Sequence, residues 1–179
     1  MKEEEVIKLL RYYRHDWMND LQIIMGYAQM GKLDKVQEKI DLAVTQAEED
    51  RKLQSIPLPK TALQLLQLKW YYQNFQINYW ISVDNNICID DQKIAFQLDQ
   101  LMNYFVDHSM KTTLYRGTIK LHQKKENQLQ VIFFITGEFQ NIESLLKKIT
   151  DIDQSMEIQY ETEASSHKDQ EMHLMWTVN

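Results

Sequence analysis

Val6 to Ala28 reads VIKLLRYYRHDWMNDLQIIMGYA. Its apolar residues fall at Val6, Leu10, Tyr13, Trp17, Leu21, Ile24 and Ala28, an alternation of threes and fours that predicts a helix with one apolar stripe. Gly31 supplies a left-handed stop, and Asp34 with Gln37 reads as a capping box opening a second helix. Val36, Ile40, Ala43 and Ala47 continue the stripe there, so residues 1–56 are expected to form a helical hairpin with a short turn. Two helices with one stripe apiece cannot enclose a core. The economical expectation is a homodimer, two hairpins packed about a two-fold axis as a four-helix bundle. Docking onto the chain's own second domain is the alternative.

Pro57 and Pro59 end this unit, since proline breaks the helical ladder and pushes its predecessor out of the helical region. Residues 57–179 mix periods. Helices are expected at Thr61–Phe75, Asp90–Met110 and Asn141–Ile149, and strands at Ile77–Val83, Thr118–His122, Leu129–Ile135, Met156–Thr162 and Met172–Val178. Ala164–Gln170 reads as a mobile loop. The expected class is α+β, one sheet with helices on one face.

Composition removes several functions. The four glycines stand singly at Gly26, Gly31, Gly117 and Gly137, so neither a P-loop nor a dinucleotide fingerprint is present. A net charge of −6 argues against general nucleic-acid binding, which rests on Lys and Arg neutralising phosphates. The N-terminus lacks the apolar segment of a signal peptide, and the longest uncharged run, Trp70–Val83, is too short to span a bilayer. A cytoplasmic protein without membrane or nucleic-acid partners is expected. Cys88, the only cysteine, lies in Ile87-Cys88-Ile89 and reads as a small buried hydrophobe.

The chemistry concentrates in Arg14-His15-Asp16-Trp17-Met18-Asn19-Asp20-Leu21-Gln22. At 100° per residue, His15 points roughly 160° away from the apolar stripe. Lys8, Arg11, Tyr12, Asn19, Gln22 and Gly26 share its face. His108, His122, His167 and His173 read as ordinary surface histidines, because none has a second ligand at metal-binding spacing. His15 is different. An Arg before it, an acid after it and an Asn four on would coincide by chance on the order of once in a few thousand histidines at average composition.

Arg14-His15-Asp16-x-x-Asn19-x-Leu21-Gln22 resembles the phosphoacceptor motif of histidine-kinase dimerisation domains of the sporulation-phosphotransferase type, shared with citrate-type and malate-type sensor kinases. The residue after Asn19, often basic in those relatives, is here Asp20. The resemblance implies that residues 57–179 form a degenerate histidine-kinase-like ATPase α/β sandwich. Its nucleotide-holding residues are replaced: Tyr104 stands where a magnesium-binding Asn would, Asn103 is one position off that face, and Ile135-Thr136-Gly137-Glu138-Phe139 keeps one Gly of the expected pair.

The function so implied is a phosphotransferase in the initiation of sporulation. His15, by Nε2, would take a phosphoryl group from the aspartyl phosphate of one response regulator and pass it to an aspartate on a second, a transcription factor. Arg14 would neutralise phosphate charge, and Asn19 would orient the ring or the phosphoryl group. Asp16 enters as a hydrogen-bond partner by resemblance alone, because adjacent helical residues do not face each other. No cofactor or metal is expected on this chain; Mg²⁺ would belong to the regulator's acidic pocket. With an antiparallel hairpin turning near Lys32, the docking groove is expected to use Arg11, Met18, Gln22 and Gly26 from one helix and Thr45 and Glu49 from a second, the level of His15 falling near residue 50. An ATP-using kinase remnant and an inert dimeric scaffold are the competing classes.

Overall fold

The structure is a computed structural model that describes residues 3–72, 74–84, 86–162 and 170–179. Of the loop expected at Ala164–Gln170, residues 164–169 lie outside the described residues. The class is α+β: two long helices, then three helices and a mixed five-stranded sheet. Contacts divide the chain into two compact units, Met1–Arg51 and Lys52–Asn179. The division falls inside the second helix, short of the prolines, because Leu53 and Ile56 belong to the buried core of the second unit. No helix among the described residues is long and apolar enough to cross a membrane.

In the first unit α1 (Glu3–Gln29) and α2 (Leu33–Ser55) are antiparallel. The turn between them is a Schellman motif: Gly31 sits at φ +68°, its N–H donates to the Ala28 carbonyl, and the Lys32 N–H donates to the Tyr27 carbonyl. The expected capping box does not form. α2 begins at Leu33, one residue before Asp34, and the Gln37 amide instead donates to Asp41, 2.8 Å away. Two side-chain contacts fix the register of the hairpin. Tyr13 Oη donates to Asp50 at 2.5 Å, and Lys39 Nζ lies 2.8 Å from Asp20.

The second unit is built on strand order β1-β2-β3-β5-β4, with β1 (Phe75–Ser82), β2 (Tyr115–Lys125), β3 (Gln128–Gly137), β4 (Glu157–Thr162) and β5 (Gln170–Val178). β1 runs parallel to β2 through the crossover helix α4 (Asp91–Asp107), and the remaining pairs are antiparallel. Burial alternates along β1, along β2 and along β3 from Val131 onward. Tyr79, Ile119, Phe133 and Leu174 form one registered row on the buried face, covered by α3 (Pro59–Tyr71), α4 and α5 (Ile142–Ile152). The first helix of this unit stops at Tyr71, earlier than its periodicity suggests, because Phe75 is already paired with Tyr115 at the start of β1.

Two polar devices lock the helices. Leu58 at the N-cap of α3 makes no side-chain cap, and Asp91 of α4 takes over: its carboxylate accepts from the Lys60 and Thr61 N–H groups at 2.8 Å each and from Thr61 Oγ1 at 2.7 Å. Gln97, almost fully buried, accepts from Trp176 Nε1 and donates to Asp153 Oδ2, both at 2.9 Å. Aromatic side chains fill the end of the core beside Gly137. Phe75 stacks on Tyr115 with centroids 4.6 Å apart, and Phe139 lies 4.6 Å from the same ring.

Two expectations fail here. Cys88, expected to be buried, is exposed in a loop, while Ile87 beside it is buried. His108 is buried, donating from Nδ1 to the Tyr104 carbonyl at 2.8 Å as the C-cap of α4.

Hydrogen bonds from Ser155 and the charge of Lys93 hold the Asp153 carboxyl below the usual range. Such a group contributes stability that is present above its unfolded pKa and lost as pH falls through its lower folded pKa. Asp153→Asn should therefore melt at lower temperature than the parent at about pH 7, and the two should converge in strong acid. Melting curves down to about pH 2 check this; a gap that stays constant would contradict it.

Candidate functional site

α1 has no buried residue. The apolar stripe read from the sequence stands open instead, with Trp17 47% and Leu21 52% exposed. With Ile24, Ile40, Ala43 and Ala47 they line an apolar groove of about 420 Å³ on the hairpin. The stripe and His15 occupy nearly opposite directions on one helix, as a 100° rotation per residue requires. An open apolar face thus coexists on one helix with a polar face that carries His15 and Asn19.

The His15 side chain is 69% exposed. Asn19, one turn on, places Nδ2 3.2 Å from His15 Nδ1. Asp16 Oδ1 lies 3.6 Å from the same nitrogen, beyond hydrogen-bond range but close enough for its charge to act there. Adjacent residues on this helix therefore do meet, because the Asp16 side chain bends back to the near edge of the ring. Nε2 has no hydrogen-bond partner among the described residues.

This asymmetry bears on which nitrogen is nucleophilic. An amide can present either its nitrogen or its oxygen to Nδ1. With Nδ2 facing it, Nδ1 accepts and the proton sits on Nε2; with the amide turned over, its oxygen accepts from Nδ1–H and Nε2 keeps the lone pair, the tautomer that the nearby Asp16 carboxylate favours. The arrangement leaves Nε2 exposed, with the Asn19 amide against Nδ1 and the Asp16 carboxylate beside it.

The remaining candidates divide. Arg14, Arg11, Met18 and Gln22 are exposed, and at Gly26 nothing lies within 4 Å of the place a Cβ would take. Arg11 stands one helical turn before His15 and shares its face. Thr45 is exposed but donates to its own helix at the Asp41 carbonyl. Glu49 is only 8% exposed and so offers no open docking surface. Interpolating between Tyr13–Asp50 and Asp20–Lys39 places the level of His15 a few residues before Asp50 on α2.

The positions compared with a nucleotide site carry other duties. Asn103 donates to Asp99 at 3.2 Å, and Tyr104 lies under Lys148, whose Nζ is 5.4 Å from the ring centroid. Gly137 has φ +153°, and a Cβ there would run into the Tyr115 ring. This glycine answers to a neighbouring side chain.

A family described as the Spo0B-type sensor kinase, alpha-helical domain, matches residues 1–56. Sporulation initiation phosphotransferase B of Bacillus subtilis (strain 168) is 33% identical over 102 residues, 56% of this chain and 53% of the relative, so the chain spans about half the length of that protein. Among solved structures, the mycobacterial sensor histidine kinase MprB superposes with a TM-score of 0.41 at 7% identity, over 68% of this chain and 93% of that one. The catalytic domain of histidine kinase ThkA, free of nucleotide, gives 0.39 at 10% identity, over 66% and 88%. Both likenesses are loose.

Two contacts on one nitrogen make a tautomer prediction. In ¹⁵N-resolved spectra at about pH 8, His15 of the parent should be mostly Nδ1–H, and the double variant Asp16→Ala/Asn19→Ala should move it to mostly Nε2–H. Identical tautomer populations would contradict the positioning role.

Proposed function

From the match of residues 1–56 to the Spo0B-type sensor-kinase helical domain family, we propose that this chain is a phosphorelay phosphotransferase acting in the initiation of sporulation. The observation that carries the reading is the exposed His15 ring, with Asn19 in hydrogen-bond contact at Nδ1, Asp16 3.6 Å from the same nitrogen, and Nε2 open. The Nε2 lone pair attacks the phosphorus of an aspartyl phosphate on one response regulator. The P–O bond to that carboxylate breaks, its electron pair leaves with the carboxylate, and the N–P bond forms. Attack by the aspartate of a second regulator, a transcription factor, reverses the step, breaking N–P and restoring the imidazole.

Phosphoryl transfer asks the protein for position and charge neutralisation more than for covalent chemistry. Arg11 and Arg14 meet the phosphate charge, and Asn19 and Asp16 keep the ring turned and its proton on Nδ1. The Mg²⁺ belongs to the regulator, and this chain brings no cofactor of its own. Met18, Gln22 and Gly26 extend the docking surface, and the small Gly26 lets a partner helix come close. The open stripe supports a homodimer. A second hairpin covers the groove of Trp17 and Leu21, completing a four-helix bundle that leaves His15 outward. The setting is the cytoplasm, with protein partners only.

The test is to mix the chain with a response regulator already phosphorylated on aspartate and look for acid-labile, alkali-stable label on this chain. His15→Ala should abolish the label while leaving helix content and dimerisation unchanged, since an outward residue contributes little to stability. Retained label would overturn the assignment. Trp17→Glu places a charge on the stripe and should dissociate or unfold the dimer in sedimentation; an unmutated chain that is monomeric at micromolar concentration would contradict the bundle.

A further inference from the structure

The helices cover one face of the sheet, and the other face carries an ordered distribution of charge. Register places Arg116, Thr136, Glu171 and Glu161 in one row across β2, β3, β5 and β4, and Lys120, Ile132, Met175 and Glu157 in another. The basic side chains stand on β2 and the acidic ones on β5 and β4, with Phe134 in the middle column, 39% exposed. Arg116 and Glu171 are two strands apart, roughly 10 Å between backbones. Among the described residues neither they, nor Lys120, nor Glu161 form an ion pair. A depression of about 360 Å³ crosses the same face from Lys120 past Phe134 to Glu161 and Glu171.

Such a face is complementary to itself in one orientation. A two-fold axis running along β3 lays β2 of one copy over β5 of the other and β1 over β4. That sets Arg116 against the second copy's Glu171 twice, and Phe134 against its own counterpart on the axis. An axis across the strands lays β2 over β2 and brings like charges together. We propose that the open sheet face is a second self-association surface of this chain, paired two-fold about β3 with the Arg116–Glu171 contacts formed between copies. Sheets packed face to face sit ~10 Å apart, which suits Phe134 opposite Phe134. The face measures roughly 20 by 20 Å, about half the ~800 Å² per partner of a standard interface. The contact is therefore weak by itself and forms where copies are already concentrated.

The full chain carrying Cys88→Ser and Phe134→Cys tests this by mild oxidation and non-reducing electrophoresis. Phe134→Cys should give a covalent dimer in at least about tenfold higher yield than Lys124→Cys at the far end of β2. In the Phe134→Cys background, Arg116→Glu or Glu171→Arg alone should cut the yield about fivefold or more, and the two together should restore it. Melting curves establish that each variant is folded. Equal cross-linking at positions 134 and 124, or a double charge swap that restores nothing, overturns the proposal. A Phe134→Cys thiol that no reagent reaches in the folded chain also overturns it, because the face is then covered by something other than a second copy. Label on His15 is measured separately, so failure here leaves the phosphotransfer reading standing.

Discussion

Two helices can cover each other along one line only, and that limit governs the N-terminal unit. α1 runs twenty-seven residues without burying any of them. Tyr13, Asp20, Lys39 and Asp50 pin the hairpin by polar contacts, and the apolar stripe stays in water, where it contributes no burial. Because the stripe through Trp17 and Leu21 takes up one direction of α1, His15 and Asn19 are carried to the opposite one. The open apolar stripe on one side and the exposed imidazole on the other come from a single periodicity.

The second unit solves the opposite problem. Its sheet has an ample core, and polar groups inside it must be satisfied. Gln97 bridges Trp176 and Asp153, Asp91 caps a neighbouring helix, and Tyr115 Oη accepts from the Met110 N–H while donating to the Glu138 carbonyl. Burial pushes the Tyr115 phenol up, which keeps it a donor. Gly137 is held by the ring of Tyr115 against its backbone. Gly137 and Phe139 are both packed against the Tyr115 ring.

What the sequence disclosed was whatever periodicity and local chemistry control. The spacing from Val6 to Ala28 determines the stripe, and Gly31 stops the helix through its positive φ. What it hid depended on neighbours far along the chain. Cys88 lies between Ile87 and Ile89 yet is exposed in a loop, while Ile87 beside it is buried. His108 is buried because its ring folds back on the Tyr104 carbonyl. Gln37 prefers Asp41 to a cap. At the site, the helical wheel separated His15 from Asp16 by direction, whereas a short side chain bending toward Nδ1 brings them within 3.6 Å. Rotamers escape a wheel diagram, and they decide which nitrogen is free.

Everything proposed for the hairpin turns on His15 presenting Nε2 while Asn19 and Asp16 occupy the Nδ1 edge. Phosphorylating the full chain from a phosphorylated response regulator and locating the N–P bond by ³¹P–¹⁵N correlation reads that out at the reacting atom. A single phosphohistidine is expected, on His15, bonded through Nε2. A bond through Nδ1, or label on any other histidine, would contradict it.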